Sequence, residues 1–299
     1  MEQVISKRHP VKFYGVLIFI SLPVIALTLI FIAQGALYGE KQFKLLIPFV
    51  LFLFVIYSIF RYRKNTPSIT IKGRIVSFDK RSYSIDDIER IDFTGKQNFK
   101  YLLRFPMEGA MIVFKNMQVE YIFDDMYKNT SELKKFLDYS INNKEFNPVK
   151  AHDQDVSGEY FYYYKGNFFL NIRGISFTAF LAFYLIMILK ADAEKILMLS
   201  IFCIGFMLLL SMQFKYFGLN NRYFIVKNYI LFWKRDVYRI SDIKEIVYET
   251  QGKMPNCLRI ITKDYRNKLY LAATVRNSEW LEMKTLFEKE GIIVRNECI

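Results

Sequence analysis

Hydrophobic positions along this chain fall into four long runs, separated and followed by stretches of short alternation. Phe13–Ala33 is apolar except for Gly15, Ser21, Pro23 and Thr28. Further runs cover about residues 43–60, 168–189 and 196–214. At about 1.5 Å per residue, a run of twenty residues is roughly 30 Å long, the thickness of a bilayer core. Four membrane spans are therefore predicted. The first run is too long for a signal peptide, lacks a small-residue cleavage site, and is followed almost at once by the second. Pro23 and Pro48 predict kinks or sites absorbed by packing. Gly174, Ala179, Ser200 and Gly205 offer close helix approach.

The loops Gln34–Gln42 and Lys190–Lys195 are too short to hold a domain, so the spans pair into two hairpins. Lys7, Arg8 and Lys12 precede the first hairpin, and Arg61, Arg63 and Lys64 follow it. Positive residues mark the cytoplasmic side. The expected topology has several crossings with both termini inside. Arg173, near the start of the third run, is close enough to the interface to snorkel.

The two halves of the chain repeat each other. Ile69–Phe93 aligns without a gap to Phe224–Tyr248. Lys72/Lys227, Ile75/Ile230, Tyr83/Tyr238, Ile85/Ile240, Asp87/Asp242, Ile88/Ile243 and Ile91/Ile246 are identical, and Phe78 faces Trp233. Phe13 meets Phe168 at the same offset, so the whole chain reads as a tandem duplication of one hairpin plus one polar domain.

Within each polar domain, β-branched and aromatic residues alternate with polar ones, which predicts strands. Turns fall near Gly73 and Asp79–Arg81, and near Asn228 and Lys234–Asp236. Further strands are expected at about Tyr101–Phe105, Ala110–Lys115 and Val119–Phe123, and at Leu258–Thr262 and Lys268–Ala272. A closing helix is expected at Ser131–Ile141 and at Ser278–Glu290, where Trp280, Met283 and Phe287 share a face. The organisation is thus hairpin 1 at 1–60, α+β domain 1 at 61–150, a linker at 151–165, hairpin 2 at 166–214, and α+β domain 2 at 215–299. Tyr160–Tyr164, just before the third run, reads as an interfacial aromatic belt.

Composition narrows the function. With 53% apolar and 17% aromatic residues in 299, the chain is not disordered. Three cysteines exclude a disulfide scaffold, and two histidines leave little for His-based chemistry. No phosphate loop, dinucleotide fingerprint or zinc-ligand spacing occurs. His9 flanks a membrane run, and His152 sits in the linker beside Asp153 and Asp155. Asp86-Asp87 and Asp124-Asp125 are neighbours that would face opposite sides of a strand. No enzyme, metal or cofactor is expected. The net charge of +13 is spread among interspersed acids, which does not suit nucleic acid but does suit anionic headgroups.

Several strands followed by one amphipathic helix, with the paired phrases Tyr83–Ile91 and Tyr238–Ile246, resemble bacterial membrane proteins that carry pleckstrin-homology-like (PH-like) domains after a two-span hairpin. The resemblance implies a place in the bacterial cytoplasmic (inner) membrane and an antiparallel sheet closed by a C-terminal helix. It also implies basic residues across the first strand pair that grip anionic lipid: Lys72, Arg74, Lys80 and Arg81, and in the second copy Lys227, Lys234, Arg235 and Arg239. The partners expected are anionic membrane lipids and a protein or second copy of the chain. The expected role is that of an adaptor, a stress-resistance factor or a toxin-immunity protein. The rival reading is an accessory subunit of a membrane transport or export complex.

Overall fold

The computed structural model describes residues 3–38, 43–100, 104–142, 156, 158–190, 192–252 and 254–299. The expected loop tip at 39–42, the linker residues 151–155 with His152, and part of the strand expected at Tyr101–Phe105 lie outside the described residues. The chain divides into two compact units, Met1–Pro148 and Val149–Ile299.

Each unit begins with a strand that the sequence pattern does not announce. In unit 1, β1 (Val4–Ile5) precedes helices α1 (Gly15–Tyr38) and α2 (Phe43–Lys64), and then pairs antiparallel with β2 (Ile69–Lys72). β3 (Ile75–Phe78) and β4 (Arg81–Ser84) complete a four-stranded meander. A 3₁₀ turn, Ile85–Asp87, leads to a second sheet of β5 (Ile88–Asp92), β6 (Lys96–Lys100), β7 (Arg104–Phe114) and β8 (Val119–Phe123), and α3 (Thr130–Asn142) closes the unit. The alternation has its expected cause. Ile69, Ile71, Val76 and Phe78 point inward, and Leu133, Phe136 and Leu137 of α3 meet them in one core. Each such side chain adds about 1.5–3 kcal/mol on burial.

Unit 2 repeats this plan. β9 (Tyr162–Tyr164) precedes α4 (Ile172–Lys190) and α5 (Ala193–Ser211), and pairs with β10 (Lys215–Leu219). β11 (Tyr223–Asn228) and β12 (Arg235–Arg239) finish the meander. The 3₁₀ turn Ile240–Asp242 leads to β13 (Ile243–Glu249), β14 (Cys257–Thr262) and β15 (Asn267–Leu271), then α6 (Asn277–Lys289) and β16 (Ile293–Asn296), which pairs parallel to β13. Trp280, Met283 and Phe287 are fully buried, with Trp280 edge-on to Tyr248 at 4.8 Å. Tyr162–Tyr164 is thus a strand with Tyr164 in the core, not an interfacial belt, and the expected linker ends before it.

The four expected membrane spans are not supported among the described residues. Among the described residues, two helices are long and apolar enough to cross a membrane, Pro10–Ala33 and Ile172–Lys190, and the rest of the chain is rich in sheet. Among the described residues, α5 contributes only the shorter apolar stretch Leu199–Ser211. The last turns of α2 belong to the folded unit. Arg61, Arg63 and Lys64 end it, and Tyr62 lies in the sheet core between Phe13 and Phe99, at 5.2 and 5.6 Å.

The repeat is real but its alignment needs one correction. In unit 1, Ile75 pairs with Ser84 and Phe78 with Arg81; in unit 2, Tyr223 pairs with Arg239 and Val226 with Asp236. Ile75–Phe78 therefore corresponds to Tyr223–Val226, not to Ile230–Trp233. Unit 2 carries seven extra residues, Asn228–Lys234, where unit 1 makes the tight turn at Asp79 and Lys80. Lys72/Lys227 and Ile75/Ile230 are coincidences of the ungapped alignment. From Tyr83/Tyr238 onward the match is structural. Both units place a β-bulge at the same step, between Ile88 and Arg90 and between Ile243 and Glu245. Both also put a residue at positive φ in the following hairpin turn, Met117 and Tyr265.

Arg259 and Glu249 form a buried ion pair in unit 2, with Arg259 Nη2 and Nε donating to Glu249 Oε1 at 2.7 and 3.1 Å, and Nη1 to Asn267 Oδ1 at 3.0 Å. Removing one partner strands the other charge in the sheet. Arg259→Leu is expected to cost about 3–5 kcal/mol in denaturant unfolding, and Glu249→Leu/Arg259→Leu to restore most of it. A double variant as unstable as the single one would contradict this.

Candidate functional site

The first strand of each unit decides where the helices enter the sheet. β1 and β2 are neighbours although α1 and α2 lie between them, and the same holds for β9 and β10 around α4 and α5. Each helix pair therefore leaves from and returns to one end of its meander. That end is the helix foot. Hydrogen bonds lock it. Asn129, ahead of α3, accepts from Lys7 N and donates to Ile5 O, at 2.8 and 2.9 Å. In unit 2, Glu279 accepts from Gly166 N at 3.0 Å. Gly166 has φ +66°, and a Cβ there would meet Thr274 O at 1.7 Å, so only glycine fits.

The helix foot of unit 2 carries the seven extra residues. Asn228 is fully buried and holds them. Its side-chain oxygen accepts from Ile230 N and Leu231 N, and its amide donates to Ser211 O at the end of α5. Tyr229 and Ile230 pack on Phe168, Phe177 and Phe214 at the base of α4. This leaves Phe232 and Trp233 projecting, 76% and 65% exposed, with Lys234 and Arg235 directly after them. Phe78, the expected counterpart of Trp233, is buried instead.

More cations surround this loop. Lys227 pairs with Arg235 in register and donates to the Tyr163 hydroxyl at 2.9 Å. Lys165 lies over the Tyr163 and Tyr216 rings, at 5.2 and 5.6 Å. Burial lowers the Lys215 ammonium from its ordinary range, although Asp236 opposes this. Arg173 donates to Gln213 Oε1 at 3.2 Å near the start of α4, which holds its charge at the foot.

The foot of unit 1 carries cations as well. A groove of about 970 Å³ is lined by Lys64, Lys80, Arg81 and Lys100, with Tyr121 and Phe123 beside them. Arg81 pairs there with Glu120 at 2.6 Å, and the Tyr83 hydroxyl donates to the same carboxylate at 3.0 Å.

The residues expected to grip one lipid headgroup are not brought together. β3 separates Lys72 and Arg74, at its start, from Lys80 and Arg81, at its end, by about 13 Å at 3.3 Å per residue. Arg74 is held by Asp86 in a two-pronged ion pair, which keeps the Asp86 carboxyl below its ordinary range. In unit 2, Lys227, Lys234 and Arg235 share the helix foot, whereas Arg239 is at the opposite end of the meander. Lys100, Lys165, Lys215 and Phe232 join the two feet without any signal in the sequence, and Lys64 joins them although it was expected only to mark the cytoplasmic side. The strands on either side of the helices were the missing signal.

No protein-family model and no curated protein matches this chain.

Glu120 gives the unit 1 groove a pH signature. Burial raises its carboxyl above the ordinary value, against the Tyr83 hydrogen bond and the Arg81 charge. The folded state then holds the proton more tightly than the unfolded chain does, so stability is present below the ordinary carboxylate value of about 4.3 and falls as pH rises past it. Glu120→Gln cannot titrate. The variant is expected to gain stability over wild type between pH 4 and pH 7 in denaturant unfolding. An equal difference at both pH values would contradict this.

Proposed function

We propose that the chain is a non-enzymatic membrane protein, associated with the bilayer through the apolar helices Pro10–Ala33 and Ile172–Lys190, whose two sheet units press their helix-foot edges against an anionic membrane surface. The observation that carries this reading is the projecting Phe232-Trp233-Lys234-Arg235 tip beside the base of α4. Exposed Trp and Phe are poorly placed in water and well placed at the headgroup level, where the ring is buried and a polar edge stays wet. Lys234 and Arg235 then meet anionic headgroups at about 1 kcal/mol each. The basic groove at the foot of unit 1 supports the same orientation.

Each unit is read as a PH-like binding domain. A four-stranded meander, a second sheet and a closing helix support that reading. The positive residues at the feet, Lys7, Arg8, Lys12, Arg61, Arg63 and Lys64, favour the cytoplasmic side of a bacterial inner membrane. In this arrangement the surfaces remote from the foot are free for a protein partner, as an adaptor, stress-resistance or immunity role requires.

The chain has two tryptophans, and the other one, Trp280, is fully buried. In bilayers containing brominated lipid, tryptophan fluorescence of the full chain is expected to be quenched, and Trp233→Phe to remove that quenching. Reversing both charges, Lys234→Glu and Arg235→Glu, is expected to weaken the extra quenching seen with anionic lipid. Equal quenching in wild type and Trp233→Phe would overturn the proposal.

A further inference from the structure

The end of unit 2 remote from the helix foot holds a second concentration of positive charge, and its geometry differs from that of unit 1 in a directed way. Ile240 N donates to Arg222 O at 2.9 Å, and Lys263 N to Asp242 O at 2.8 Å. These two bonds bring the β10–β11 turn, the 3₁₀ turn and the β14–β15 turn to one place. They border a groove of about 550 Å³ lined by Arg222, Arg239, Ser241, Lys244 and Lys263, with Glu290, Ile243 and Ile292 also in its lining. That volume suits a small organic ligand.

Unit 1 builds the same corner with the same two bonds, Ile85 N to Arg74 O at 2.8 Å and Lys115 N to Asp87 O at 2.9 Å. There the cations are already satisfied. Asp86 takes Arg74 in a two-pronged pair, and Lys115 Nζ donates to Asp86 O at 2.9 Å. At the three matching positions unit 1 has Ser84, Asp86 and Glu89, where unit 2 has Arg239, Ser241 and Lys244. Two acids and no base have become two bases and no acid. Lys244 lies over the Tyr265 ring at 4.4 Å. Arg222, Arg239 and Lys263 make no side-chain hydrogen bond or ion pair among the described residues.

The fold does not need the extra charge, since unit 1 forms the same corner with its two cations held by Asp86. Clustered cations repel one another, and a multivalent anion offsets that repulsion. Two guanidinium forks flanked by lysines match a tetrahedral oxyanion better than a single carboxylate, because each fork can take two oxygens. We infer that the Arg222–Arg239–Lys263 groove of unit 2 binds a phosphate-bearing ligand. The inference stands apart from the membrane reading. The length of β11 puts the groove about 20 Å from the Trp233 tip, at 3.3 Å per residue, so a water-soluble phosphate compound is the favoured source over a lipid headgroup.

The test uses the full chain in nanodiscs of zwitterionic lipid, titrated with inorganic pyrophosphate, and in parallel nanodiscs containing phosphatidic acid. Two exposed substitutions import unit 1's residues, Ser241→Asp and Arg239→Ser, with thermal unfolding as a check on the fold. Saturable pyrophosphate binding that either variant weakens by about tenfold is the expected result. The same loss seen with phosphatidic acid alone keeps the phosphate site and assigns its source to lipid. The inference is overturned if neither probe binds, or if binding is unchanged in both variants.

Discussion

Everything in this chain hangs on one pairing. A short strand before each helix pair hydrogen-bonds to the strand after it, β1 to β2 and β9 to β10. That constraint forces each helical excursion to start and finish at one edge of one sheet. It gives every meander two unlike ends, a helix foot and a remote corner. Strand pairing also explains why Tyr62 sits in a sheet core although it belongs to a helix, and why Asn129 and Glu279 bind backbone from segments more than a hundred residues away.

The distribution of charge follows the two ends. At the feet, lysines and arginines stand beside aromatic rings, as in the Lys165, Lys227 and Tyr163 group. At the remote corner, unit 1 neutralises its cations with Asp86, while unit 2 leaves them open around a groove. The two units build one corner twice, and different residues at three positions separate their chemistry. The loop Asn228–Lys234 separated the feet in the same manner, adding a projecting aromatic tip to unit 2 alone.

Much of this was legible in the residues. The alternation of Ile69, Ile71, Val76 and Phe78, the closing-helix stripe of Trp280, Met283 and Phe287, and the internal repeat all correspond to observed elements. Two things were not. The first strands are two and three residues long, and Tyr162–Tyr164 has no alternation to betray it beside so many neighbouring aromatics. Periodicity is a local signal, and these strands exist only through a distant partner. The other failure was the ungapped alignment. Lys72/Lys227 and Ile75/Ile230 matched by chance across a seven-residue insertion, because strand-forming sequences draw on few residue types. The expected lipid-gripping set falls at both ends of the meanders, because β3 and β12 each run between its members. Hydropathy likewise registered four apolar runs without showing that the end of α2 is sheet core.

The central claim is that the two ends of each unit face different surroundings. Spin labels placed singly at Phe232, Lys80 and Ser241 of the full chain in anionic bilayers report this directly, through the balance of oxygen and water-soluble nickel collisions. Labels at Phe232 and Lys80 are expected to be oxygen-rich and nickel-poor, as at a lipid interface, and the label at Ser241 to show the reverse. Equal exposure to nickel at all three positions would contradict the account.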